Sequence, residues 1–121
     1  MANVENSLNE AMQMDGAIGV ALVDWSSGLA LGKAGGNNTF NLEVAAAGNT
    51  QVVRAKMSVM KNLNLNTTIE DILITLPNQY HLIRPLQKNT KLFLYIALHR
   101  EQANLAMARY KLAEIETNLE M

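Results

Sequence analysis

Apolar residues near both ends of the chain recur at the spacing of one helical face. At the start this spacing predicts a helix over Asn3 to Met14, which Asp15 and Gly16 end because glycine tolerates the positive φ common at helix C-termini. At the other end it predicts a helix over Arg100 to Leu119. The apolar stripe of this last helix consists of Leu105, Ala108, Leu112, Ile115 and Leu119. A single stripe of this width packs on one surface only.

Five shorter segments are rich in apolar residues and are bounded by turn residues, which predicts strands. The first two, Ala17 to Trp25 and Leu29 to Lys33, flank Ser26-Ser27-Gly28 and predict a hairpin. The other three are Thr68 to Leu76, Tyr80 to Leu86 and Lys91 to Leu98. The element order is then α-β-β-α-β-β-β-α. Its short connections predict an α+β fold, an antiparallel five-stranded sheet with helices on both faces.

The composition of the strands predicts their places in the sheet. Ala17 to Trp25 and Lys91 to Leu98 are apolar on both faces, so we expect them to be central and covered on both sides. Thr68 to Leu76 carries Glu70 and Asp71, which fits a position nearer an edge.

The segment from Asn41 to Asn62 predicts a long central helix, because it lacks proline and contains many good helix formers. We expect Asn38 or Thr39 to cap it. Its apolar positions cover an arc of about 200°, roughly twice what a helix lying on one sheet needs. One side of the arc is built of small residues, which allow a second helix to approach. We expect a homodimer interface there, although a loop or terminus of the same chain is an alternative cover. The expected interface residues are Ala45, Gly48, Asn49, Val52, Ala55, Lys56 and Val59.

The same helix carries a narrow polar stripe, which includes Thr50 and Ser58. In a two-fold dimer, two such stripes would form a platform of mixed charge on one side of the molecule, suited to a partner protein. The expected partner surface consists of Glu43, Gln51, Arg54 and Lys61. The alternative is that these charges are only a solvated helix face.

Composition narrows the classes of function. The chain has 121 residues, and we expect a single domain over 1–121. Ten basic and eleven acidic residues give a net charge of −1, which argues against a nucleic-acid binder. The absence of cysteine excludes disulfides, thiolate catalysis and cysteine-based metal sites. The N-terminus lacks the pattern of a signal peptide, and no apolar run approaches the about 20 residues of a membrane span. We therefore expect a soluble, cytoplasmic protein.

Candidate chemistry is sparse. Gly28 to Ala34 approximates a phosphate-binding loop, but its glycines are too close together and its last residue is an alanine where a hydroxyl should bind magnesium. The two histidines, His81 and His99, have no second ligand at metal-binding spacing, which predicts a hydrogen-bonded or partly exposed role. Glu70 and Asp71 are neighbours in a predicted strand, so they point to opposite faces and form no acid–base pair. We expect no catalytic residues, no cofactor and no metal.

The order of elements and four segments resemble the roadblock dynein light chain family, of the roadblock-longin superfamily, in its bacterial form. The segments are DGAIGVALVD from Asp15, SGLA from Ser27, LFLYIAL from Leu92 and ANLA from Ala103. The match covers nearly the whole chain. No single motif is diagnostic, and the resemblance depends on the four segments occurring in this order. At the strand-to-helix junction the family often has an acidic residue, whereas this chain has His99. The resemblance therefore does not imply an acidic helix cap here.

The resemblance implies a homodimer in which the long helices pack together and edge strands join two sheets into one. It also implies a signalling regulator or scaffold without enzymatic activity, which binds a small Ras-like GTPase. A sensor kinase is a further candidate partner. The alternative is a small-ligand-binding sensor domain. A sensor predicts a sizeable pocket between sheet and helix, whereas the regulatory module predicts a filled core.

Overall fold

The computed structural model describes residues 3–120, which form three helices and five strands. The elements are α1 (Val4–Ala11), β1 (Ala17–Asp24), β2 (Leu29–Gly35), α2 (Leu42–Asn62), β3 (Ile72–Thr75), β4 (Gln79–Pro85), β5 (Leu92–His99) and α3 (Leu105–Asn118). The strands form one antiparallel sheet in the order β2-β1-β5-β4-β3. The predicted element order and fold class are confirmed.

The two strands that are apolar on both faces lie inside the sheet, as predicted. β5 is central and pairs with β1 from Ala17 opposite Leu98 to Asp24 opposite Leu92. Every residue of β5 except His99 is buried. β3 lies at an edge, which confirms the position expected from its acidic neighbours.

The sheet separates two hydrophobic clusters, one on each face. The cluster under α1 and α3 includes Leu8, Leu22, Leu94, Ile96, Leu112 and Ile115. The cluster under α2 includes Val23, Leu42, Ala46, Val53, Phe93 and Tyr95. Burying one such large apolar side chain contributes about 1.5–3 kcal/mol, so both faces stabilise the sheet. Helices on both faces are therefore confirmed.

Two glycines in the first hairpin let helices approach the sheet closely. A Cβ on Gly32 of β2 would lie 2.8 Å from the Cγ1 of Val4 in α1. A Cβ on Gly19 of β1 would lie 2.9 Å from the Cδ2 of Leu42 in α2. The hairpin thus accepts one helix on each face at positions where a larger residue would force the helix outward.

The ends of several elements differ from the predicted ones. α1 ends at Ala11 rather than at Met14. α3 begins at Leu105 rather than at Arg100, because the Oδ1 of Asn104 accepts a hydrogen bond from the amide of Met107 at 3.1 Å and caps the helix there.

The predicted strand from Thr68 to Leu76 is shorter than expected, because only Ile72–Thr75 pairs with β4. Glu70 and Asp71 precede it, so the opposite-face geometry expected for them does not arise. Arg109 of α3 donates to both carboxylate oxygens of Asp71, at 2.8 and 3.1 Å, and this ion pair holds the chain just outside the ladder.

The cap expected for α2 is also placed elsewhere. The Oδ1 of Asn41 accepts from the amide of Val44 at 3.0 Å, so Asn41 caps the helix rather than Asn38 or Thr39. Thr39 is held in an earlier turn, where its amide and hydroxyl both donate to the Oδ1 of Asn37. Among residues 3–120, no helix combines the length and hydrophobicity needed to cross a bilayer.

Candidate functional site

Helix α2 contacts the sheet with one side only. It packs over β1 and β2, and its buried residues are Leu42, Ala46, Thr50 and Val53. Thr50 was expected in the polar stripe but is 1% exposed. Its hydroxyl donates to the carbonyl oxygen of Ala46 at 2.8 Å. Because this hydrogen bond is made within the helix, the hydroxyl can be buried against the sheet without another partner.

The residues expected at a dimer interface lie together on another side of α2. Those next to the sheet are half-buried: Ala45, Asn49 and Val52. Those farther out are exposed: Gly48, Ala55, Lys56 and Val59. A Cβ built on Gly48 would meet no atom within 4 Å. Within residues 3–120, therefore, no loop closes over Gly48, as the alternative of cover by the same chain would require.

This side of α2 continues into a groove of about 310 Å³ between the helix and the sheet. Ala45, Gly48 and Asn49 form its helix wall, and His81 of β4 and Tyr95 of β5 form its floor. Beyond the floor lies the edge strand β3, whose Ile74 is half-buried on the α2 face and pairs with His81. The uncovered surface thus runs from the helix onto the part of the sheet that α2 does not cover.

The floor of the groove is polar but satisfied. The Nε2 of His81 lies 2.8 Å from the Oε1 of Gln79, and its Nδ1 lies 3.2 Å from the hydroxyl of Tyr95. The rings of Phe40 and Tyr95 both meet the imidazole edge-on. Burial lowers the pKa of His81. Burial also raises the pKa of Tyr95 to about 12, against the opposing effect of a hydrogen bond with Asn49.

Both groups are therefore neutral at pH 7. The hydrogen-bonded role predicted for His81 is confirmed, and His99 lies exposed at the end of β5. Among residues 3–120, no three His, Asp or Glu side chains come close enough together to hold a metal ion.

The residues of the expected partner surface are all exposed, but two already contact the β1–β2 hairpin. The ammonium of Lys33 pairs with Glu43, and this hydrogen bond lowers the pKa of Glu43. The Nη2 of Arg54 donates to the carbonyl oxygen of Ser26 at 2.8 Å. Gln51 and Lys61 lie on the same exposed side of the helix.

The phosphate-loop approximation has the geometry expected for a hairpin. Gly28 ends the β1–β2 turn with φ of +80°, and Leu29–Gly35 is strand β2. No helix begins there, so its amides are not arranged around a phosphate in the manner of such loops.

A second cleft, of about 550 Å³, opens at the C-terminal end of α2. It lies between the last turns of α2, the α2–β3 connection and the β4–β5 turn. Its apolar walls are Trp25, Met57, Met60, Leu65, Ile69 and Leu86. Sequence reasoning missed it, because its walls come from four separate parts of the chain; the only sequence signal is the pair of methionines inside the wide apolar arc.

No protein-family model matches the sequence, and no curated protein matches it either. Solved structures do match. The Roadblock/LC7 domain from Streptomyces avermitilis is 12% identical, with a TM-score of 0.80 over 96% of this chain and 93% of that one. MglB with a tetrameric arrangement is 14% identical, with a TM-score of 0.79 over 93% and 81%. The gliding protein MglB from Thermus thermophilus is 16% identical, with a TM-score of 0.70 over 93% and 87%.

These identities are low, so the likeness lies in the path of the backbone. The element order and the five-stranded antiparallel sheet agree with the fold that the sequence segments predicted. The chain therefore has the Roadblock/LC7 fold.

Proposed function

We propose that this chain is a non-catalytic, homodimeric regulatory module that binds a small Ras-like GTPase. The observation that carries the proposal is the uncovered side of α2, with its small residues and its groove, on a Roadblock/LC7 fold. The tetrameric arrangement of one similar MglB structure supports self-association in this fold.

In the proposed dimer, α2 of one copy lies beside α2 of the other, about a two-fold axis. Gly48 and its neighbours allow the close approach, and the second helix covers the groove above His81 and Tyr95. β3 is the edge strand beyond the groove, and an edge strand presents unpaired N–H and C=O groups that can pair with those of a second copy.

Regulation of a GTPase is the part of the proposal that the resemblance supplies. The polar stripe of α2 is compatible with a partner protein, because its residues are exposed and carry both signs of charge. A dimer would present two copies of it. Such a surface favours a modest affinity that depends on orientation and ionic strength. A regulator of this kind acts by holding a partner, not by chemistry of its own.

Sedimentation of two neighbouring variants tests the dimer. Gly48→Arg places a bulky charge on the proposed interface, whereas Ala47→Arg places the same group on the adjacent exposed position outside it. Neither change harms the helix, since arginine is a better helix former than glycine by about 1 kcal/mol and nearly equals alanine. The wild type and Ala47→Arg should sediment at twice 13.3 kDa at micromolar concentration, and Gly48→Arg at 13.3 kDa.

Gly48→Arg should lose capture of a Ras-like GTPase encoded beside this chain, because the platform exists only in the dimer. A wild-type monomer, or a Gly48→Arg variant that stays dimeric, contradicts the proposed interface. Wild-type capture by a monomeric Gly48→Arg variant contradicts the proposed link between dimer and partner.

The alternative of a small-ligand sensor keeps one specific observation in its favour. A cleft of the size that a sensor needs opens beside the last turns of α2, the α2–β3 connection and the end of β4. The cleft and the groove occupy different sides of α2, so the two functions are compatible.

A further inference from the structure

We propose that the cleft at the C-terminal end of α2 binds a small amphipathic anion, an apolar chain or ring that ends in a carboxylate. Its volume of about 550 Å³ falls within the range of about 300–1,000 Å³ that is typical of small-molecule sites. The site needs neither the dimer nor the GTPase, and Lys61 is the one residue that it shares with the proposed partner surface.

The walls of the cleft are suited to an apolar body of variable shape. Met57 and Met60 are half-buried and project from the last turns of α2. Unbranched, polarizable methionine side chains adapt to irregular ligands. Leu65, on the α2–β3 connection, is 48% exposed at the rim. A bound apolar body would remove this leucine and both methionines from water, which is the driving force for binding.

One wall is rigid. The indole Nε1 of Trp25 donates to the carbonyl oxygen of Thr90 at 2.7 Å, and the amide of Trp25 donates to the carbonyl oxygen of Lys91 at 2.9 Å. These bonds fix the side chain and satisfy its polar end. The ring is therefore free to make apolar contact, at little cost in conformational entropy.

The charge of the cleft selects an anion. Lys61 is the one charged residue among the described residues that line it, and no carboxylate of residues 3–120 lies within ion-pair distance of its ammonium. The cleft rim adds amide and hydroxyl groups, among them Asn64, Asn66 and Gln87. These groups can donate further hydrogen bonds to a carboxylate.

The end of α2 does not neutralise Lys61. Its last carbonyl groups would carry partial negative charge if they were open. Instead the amides of Leu63, Asn64 and Leu65 donate to the carbonyl oxygens of Val59, Lys61 and Met60, at 3.0, 3.1 and 2.9 Å. Because the helix end is capped by its own chain, the ammonium of Lys61 remains available to an anion outside the helix.

Trp25 makes the test direct, since it is the only tryptophan of the chain and forms part of the wall. Decanoate is titrated into the purified protein below its micellar concentration, and the tryptophan emission is followed. Decyltrimethylammonium, which carries a similar chain with the opposite charge, is the matched ligand. We expect a saturable change with decanoate, at an affinity at least about tenfold higher than for the cation.

Two lysine variants complete the test. Lys61→Gln should remove the preference for decanoate over the cation, because it removes the charge and keeps a side chain of similar length. Lys88→Gln is the control, because the ammonium of Lys88 contacts the carbonyl oxygen of Thr117 on α3, outside the cleft. It should bind decanoate as the wild type does.

Three results would overturn the proposal: no saturable response to decanoate, equal affinity for both ligands, or equal behaviour of the two lysine variants. The first would leave the cleft to an apolar segment of a protein partner. Sedimentation of the same samples separates this outcome from the proposed function, because a chain that ignores decanoate and still dimerises contradicts only the ligand site.

Discussion

A single buried carboxylate shows how one residue can organise the end of a sheet. Glu116 of α3 is only 8% exposed. Its Oε1 accepts from the Nε of Arg84 at 2.6 Å, and its Oε2 accepts from the amide of Gln87 at 2.7 Å. The interaction ties the last turn of α3 to the end of β4 and the turn that follows, with both charges largely removed from water.

Removal of this buried carboxylate should destabilise the protein more than removal of an exposed carboxylate on α3. Glu116→Ala leaves Arg84 buried without its partner, and breaking a buried ion pair in this way costs about 3–5 kcal/mol. The exposed ion pair of Glu114 with Lys111 is the matched control, and Glu114→Ala should cost less than about 1 kcal/mol. Urea unfolding at equal protomer concentration measures both, and equal losses would contradict the importance assigned to the buried pair.

Helix periodicity alone could not identify Glu116, because this residue lies outside the apolar stripe and looks like part of the solvated face. The same limit applies to Thr50, which the projection placed in the polar stripe. In both cases a specific hydrogen bond permits burial, and the sequence does not show which partner lies opposite.

At the scale of elements, the sequence was sufficient where burial is strong and repetitive. β1 and β5 are apolar on both faces and are the inner strands, and the stripe of α3 packs on one surface. The ends of elements depended on single polar contacts instead. The cap at Asn104 makes α3 start later than predicted, and the Asp71–Arg109 ion pair makes β3 start later. The sequence contains other residues that could form such a cap or ion pair, and it does not show which of them does.

The start of α2 provides a test of that competition. Asn41→Ala removes the side chain that caps the amide of Val44, which should cost about 1 kcal/mol of unfolding free energy. Asn38→Ala changes an exposed asparagine three positions earlier and should cost less than about 0.5 kcal/mol. If denaturant unfolding shows the larger loss for Asn38→Ala, the cap assigned to Asn41 is wrong.

At the scale of the whole molecule, the sheet sorts the surfaces. α1 and α3 close one face, while the groove, the polar stripe and the cleft all lie around α2 on the other. The width of the apolar arc predicted that α2 has a second surface. The floor of the groove, His81 and Tyr95, could not be predicted, because periodicity does not say which strands lie beside a helix.

Charge reversal on α2 tests the proposed partner surface. Reversing both Arg54 and Lys61 to Glu should preserve the dimer, since both side chains are exposed and lie outside the proposed interface. It should weaken capture of the neighbouring GTPase in a pull-down, because four charges of the platform change sign at once.

Two controls separate this effect from others. Reversal of Lys88 and Lys111, on the α3 side of the sheet, should leave capture unchanged. Lys61→Gln alone, which affects the cleft, should reduce capture less than the double reversal does. Unchanged capture by the double reversal would place the GTPase elsewhere.

The position of α1 and α3 has a practical consequence for handling the protein. The first and last helices contact each other on the face of the sheet that faces away from α2, joined at the surface by the ion pair of Lys111 with Glu10. A fluorophore or a linker attached to an exposed side chain of either helix, such as Glu5 or Tyr110, therefore lies on the face of the sheet opposite α2. Immobilisation through such a side chain would leave the groove and the polar stripe around α2 open to solution.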